Sequence, residues 1–62
     1  MDMAVMDCEV KNDNVVTLEV GITAGGRAIY GISWWKKGKR EYTWYRSMKT
    51  AFTTFSMICR MI

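Results

Sequence analysis

The apolar residues of this chain keep one period as far as Arg46 and another after it. Ala4 to Val10 alternates, with Ala4, Met6, Cys8 and Val10 on one side and Val5, Asp7, Glu9 and Lys11 on the other. Val15 to Thr23 alternates again, setting Val16, Leu18, Val20 and Ile22 against Thr17, Glu19, Gly21 and Thr23. A period of two belongs to a strand with one face buried. Two further strand-like runs, AIYGISWW and EYTWYR, follow. Beyond Arg46 the apolar positions are Met48, Ala51, Phe52, Phe55, Ile58, Cys59 and Ile62, the spacing of an amphipathic helix, with Ser47 placed as its N-cap. The expected fold is therefore α+β: a four-stranded antiparallel meander followed by one C-terminal amphipathic helix (β-β-β-β-α), as a single domain over residues 1–62.

Turn residues set the register. Asn12-Asp13-Asn14 reads as a three-residue hairpin loop closed by a left-handed Asn14. It pairs Val10 with Val16, Cys8 with Leu18, Met6 with Val20 and Ala4 with Ile22, and leaves Asp7, Glu9 and Glu19 on the outer face. Ala24-Gly25-Gly26 repeats the device with Gly26 left-handed, pairing Ile22 with Ala28, Val20 with Tyr30, Leu18 with Ile32 and Val16 with Trp34. A two-residue Gly25-Gly26 turn would slip this register by one and exchange the faces, pairing Leu18 with Ser33. The first register buries more apolar surface and is preferred. In the third hairpin a Gly38-Lys39 turn of type II′ pairs Trp35 with Tyr42, Trp34 with Thr43 and Ser33 with Trp44. One face then carries Tyr30, Ile32, Trp34, Thr43 and Tyr45, and the other Trp35, Tyr42, Trp44, Lys37, Arg40 and Arg46.

All 3 tryptophans and all 3 tyrosines lie between Ala28 and Arg46, among Lys36, Lys37, Lys39, Arg40 and Arg46. Flat aromatics ringed by cations suit an acidic protein patch or single-stranded nucleic acid. Trp35, Lys37, Lys39, Arg40, Tyr42, Trp44 and Arg46 are accordingly the candidate partner-binding residues. The same aromatics could instead stabilise the sheet or form the core of a dimer. A net charge of +3 permits a nucleic-acid partner without requiring one.

The chain has no histidine, which removes the Ser-His and Cys-His pairs and most zinc sites. Its 2 cysteines, Cys8 and Cys59, fall on predicted core faces as reduced thiols. The glycines precede no helix and so form no phosphate loop. No catalytic residue, metal or cofactor is expected. The acidic N-terminal stretch is unlike a signal peptide, and no run reaches the roughly 20 apolar residues of a membrane span. A soluble cytoplasmic protein without a membrane partner is the expectation. One helix covers about 10 Å of a sheet about 15–20 Å wide. The bare remainder, with Met57, Met61 and Ile62 at the apolar C-terminal end, points to a homodimer.

The strand and helix order resembles the positive-cofactor-four type of single-stranded-DNA-binding coactivator, a four-stranded meander plus helix that dimerises. It also resembles small phage counter-defence proteins, anti-CRISPRs among them, which are compact sheets with one helix and no active site. Both resemblances are of topology, and neither comes with a residue motif. The function expected is that of a non-enzymatic inhibitor or regulator docking on a protein or nucleoprotein partner. The alternatives are a single-stranded nucleic-acid-binding protein and a structural self-assembling module.

Overall fold

In a computed structural model, which describes residues 3–36 and 38–62, four strands are followed by one helix. They are β1 (Met3–Lys11), β2 (Asn14–Ile22), β3 (Ala28–Lys36), β4 (Lys39–Tyr45) and α1 (Met48–Met61). The strands form one antiparallel sheet in the order β1-β2-β3-β4. Ser47 caps α1 from an extended conformation, its side chain accepting a hydrogen bond from the Thr50 backbone N–H at 3.4 Å. Two threonines inside the helix donate back to it, Thr53 to the Lys49 carbonyl and Thr54 to that of Thr50, each at 2.9 Å. Such bonds do not strengthen a helix. Its hold therefore comes from packing, where Ala51 and Phe55 are buried with Val16, Leu18 and Ile32. Tyr30, Trp34, Tyr45, Ile58, Cys59 and Ile62 surround this core. Met48 and Phe52, expected within the helix stripe, are exposed, so the buried stripe is narrower than the sequence suggests.

The central hairpin has the expected register. Ile22 pairs with Ala28, Val20 with Tyr30, Leu18 with Ile32 and Val16 with Trp34, and Gly26 sits at φ +80°. The Thr23 N–H donates to the Arg27 carbonyl and the Gly26 N–H to that of Thr23, which closes the turn.

The first hairpin differs. Asn12 (φ 51°) and Asp13 (φ 65°) are both left-handed, making a two-residue turn in which Lys11 pairs with Asn14. Val10 then meets Val15 instead of Val16, Cys8 meets Thr17 and Asp7 meets Leu18. Near the turn the faces of β1 are thereby exchanged. Cys8 and Val10 are exposed, contrary to expectation, and Asp7 and Glu9 lie on the helix side instead of the outer side. A bulge between Val5 and Asp7 absorbs Met6 and turns the strand back, so that Ala4 pairs with Val20. The physical reason is the reach of the helix. It packs on β2, β3 and β4, so both faces of β1 are exposed near the turn and burial imposes no register there; the two left-handed residues Asn12 and Asp13 set it instead. At one corner of the sheet Ala4, Val20, Gly21 and Ile22 line an open hollow.

In the third hairpin Lys36 pairs with Lys39, Trp35 with Arg40, Ser33 with Tyr42 and Gly31 with Trp44. This is two residues from the expected register, with Gly38 at φ +78°. An even shift changes neighbours and leaves faces unchanged. Tyr30, Ile32, Trp34, Thr43 and Tyr45 thus share the helix side.

Candidate functional site

The side of the sheet away from α1 has no covering element among the described residues. Across it, from β1 to β4, run Val5, Cys8 and Val10, then Val15, Thr17 and Glu19, then Ile29, Gly31, Ser33 and Trp35, then Arg40, Tyr42 and Trp44. Trp35 and Trp44 are 50% and 48% exposed, and Val5 and Val10 more so. These large apolar groups stand in water although a packed core lies on the other face.

On β4 the strand period brings Arg40, Tyr42 and Trp44 into one column. The rings of Tyr42 and Trp44 stack with centroids 4.9 Å apart and planes at 14°. The Arg40 guanidinium lies 5.0 Å from the Tyr42 centroid. The column leans over β3, and a Cβ on Gly31 would lie only 2.7 Å from Trp44 Cζ3. The missing side chain of Gly31 is therefore the seat of the Trp44 ring.

Beneath the column runs a hydrogen-bonded line. Arg40 Nη2 donates to Ser33 Oγ at 3.3 Å, Ser33 and Thr17 share a hydrogen at 2.8 Å, and Thr17 Oγ1 donates to Glu19 Oε2 at 3.5 Å. Because Thr17 donates to Glu19, Ser33 supplies the hydrogen between the two hydroxyls. The Tyr42 hydroxyl reaches across β3 and donates to the same Glu19 oxygen. Hydrogen bonding to Glu19, then burial and the carboxylate's charge, hold the Tyr42 phenol above its ordinary range, while Arg40 and Ser33 pull the other way. Ser33 is only 3% exposed on an otherwise open face. Glu19 and Arg40 satisfy one another through two hydroxyls, so the middle of the face is polar but self-contained.

Of the residues singled out from sequence, Trp35, Arg40, Tyr42 and Trp44 come together on this face. Arg46 is exposed just after β4, beside Thr23, Arg27, Ala28 and Ile29. Lys39 pairs with Lys36 at a position that alternates to the helix side. Lys37 lies outside the described residues. Met57 and Met61 are exposed on α1, and Ile62 packs against the core. Sequence reasoning missed Gly31, the Thr17–Ser33–Arg40 line and the role of Glu19. A glycine in mid-strand is a signal for close approach, and it could have placed Trp44 opposite Gly31.

Cys8 is exposed on the open face. Cys59 is half-buried near Asp7 and Glu9, and burial, followed by those two carboxylates, pushes its thiol pKa up. Among the described residues no group of three His, Cys, Asp or Glu could hold a metal ion, and no helix is long and apolar enough to cross a membrane. Compared with known protein families, curated proteins and solved structures, the chain matches none of them.

Proposed function

We propose that this protein is a non-enzymatic inhibitor or regulator, of the small counter-defence kind, that docks on a protein or nucleoprotein partner through the open face of its sheet. The observation that carries the reading is an uncovered, pre-ordered face on which half-exposed tryptophans flank a polar centre already hydrogen-bonded within itself. Such a face exposes apolar surface without leaving buried polar atoms to be repaired on binding, and no buried side-chain N or O lacks a partner among the described residues. Trp35 and Trp44 are the anchors, and Arg40 is a charged rim fixed in place.

The same geometry weighs against a sheet-wide platform for nucleic-acid bases. Tyr42 already has the Arg40 guanidinium over its ring and Trp44 stacked against it, which leaves less of that ring open to a base. Partner capture with matched variants tests the proposal. A protein or nucleoprotein retained by the wild type should be lost with Trp35→Ala and kept with Met61→Lys, which alters the other side of the molecule. Capture that ignores Trp35→Ala would refute the docking face. Tight binding of single-stranded oligonucleotide that weakens steeply with salt would transfer the face to nucleic acid.

A further inference from the structure

Beyond that reading, one end of the open face carries chemistry the docking surface does not use. Tyr30 and Tyr45 form the last pair of β3 and β4, and Arg46 follows directly after it. Arg27 is held at the base of the β2–β3 turn, where its carbonyl accepts from the Thr23 N–H and its own N–H donates to Thr23 Oγ1 at 3.2 Å. Thr23, Arg27, Ala28, Ile29 and Arg46 line an open hollow of about 610 Å³, within the usual size of small-ligand sites. Its lining combines the apolar Ala28 and Ile29 with two arginines and a threonine. Thr23 Oγ1 accepts from the backbone and keeps its own hydrogen to donate.

These arginines differ from Arg40. The Arg40 guanidinium is engaged by Ser33 and the Tyr42 ring. Among the described residues, neither the Arg27 nor the Arg46 guanidinium takes part in the hydrogen bonds of this face. Two guanidinium forks match the two charges of a phosphate monoester better than the single charge of a carboxylate. Trp44 lies two residues before Arg46, about 7 Å away along extended chain. One face of its ring meets Tyr42, and the side chain is half-exposed.

We propose that this hollow is a nucleotide-binding site: Arg27, Arg46 and Thr23 hold a terminal phosphate monoester, and the base stacks on the exposed part of Trp44. The site shares Trp44 with the docking face and differs from it at Arg27 and Arg46, which are not docking anchors, so the arginine variants separate nucleotide binding from partner docking. Titrations of the intact protein with thymidine 5′-monophosphate, thymidine, inorganic phosphate and O-phosphoserine test it, followed by calorimetry and by the amide and indole NMR signals of Arg27, Arg46 and Trp44. The monophosphate should bind saturably, at least about ten-fold more tightly than the other three. Arg27→Gln and Arg46→Gln should each weaken it about ten-fold with circular dichroism unchanged. Trp44→Leu should reduce the monophosphate to the level of phosphate alone. Phosphoserine or inorganic phosphate binding as tightly as the monophosphate in the wild type would overturn the nucleotide assignment. No saturation at millimolar concentrations, or binding indifferent to both arginine variants, would overturn the site.

Discussion

The two faces of this sheet are built from the same strands and solve opposite problems. On the helix side Val16, Leu18 and Ile32 are wholly buried under Ala51 and Phe55, and order comes from exclusion of water. On the open side no element among the described residues covers Trp35, Tyr42 and Trp44, and order comes from stacking and from a line of hydroxyls joining Arg40 to Glu19. One face holds the fold together. The other holds a surface in shape, and the difference teaches that rigidity on a sheet does not require burial.

The largest effect should come from the covered face. Phe55→Ala should cost ~3–5 kcal/mol, enough to unfold much of a domain this small, as read by urea or thermal melts. A loss below ~1 kcal/mol would mean that the helix does not carry the core. On the open face, Trp35→Ala should cost partner binding on the order of 2 kcal/mol or more and change stability by no more than about 0.5 kcal/mol. Its neighbour Trp34 packs against the core, so Trp34→Ala should do the reverse and approach ~3 kcal/mol of stability. Equal effects from the two would erase the distinction between the faces.

Gly31→Ala probes the ordering of the open face directly. The new methyl would meet the Trp44 ring, a rigid side chain that must move as a whole. The expected cost is about 1 kcal/mol, together with loss of the near-ultraviolet circular dichroism of the Tyr42–Trp44 stack. The hydrogen bond from Tyr42 to Glu19 gives a smaller, pH-dependent effect. The folded protein raises the phenol's pKa, so the contact contributes fully below the unfolded value of about 10 and is lost as pH climbs through the folded one. Alkaline titration of stability should therefore show a steeper fall in the wild type than in Tyr42→Phe.

The smallest test reads the two cysteines by thiol labelling. Cys8, exposed, should react quickly in the native state, and Cys59 slowly until denaturant is added. Slow labelling of Cys8 would restore the three-residue turn after β1 and undo the exchange of its faces.

Much of the fold was legible in the sequence, because alternation and helical spacing report burial directly. The β2–β3 register followed from Val16, Leu18 and Val20 needing apolar partners, a demand that only one turn length meets. β1 was not legible in the same way. Its Met6, Cys8 and Val10 suit a core as well as they suit a surface, and Asn12-Asp13 can close a turn of two residues as easily as one of three. The helix does not bury β1, so no demand for burial in that strand could choose between them. The candidate site was half legible: parity placed Trp35, Arg40, Tyr42 and Trp44 together whichever even register held. The line through Thr17, Ser33 and Glu19 depends on contacts across three strands and left no periodic trace.

The bulge at Met6 has a consequence for what this protein can do at high concentration. A sheet with an open apolar face and free outer strands is a template on which further chains can add. The kink breaks the even ladder along β1, and the charges of Asp7, Glu9 and Lys11 crowd the rest of that strand. An incoming strand would find mismatched hydrogen-bond spacing and unscreened carboxylates where it needs a flat partner. The same irregularity that turns β1 back toward the helix side thus guards the β1 edge against a fifth strand. At that edge, the open tryptophan-bearing face does not come with a flat strand for another chain to extend.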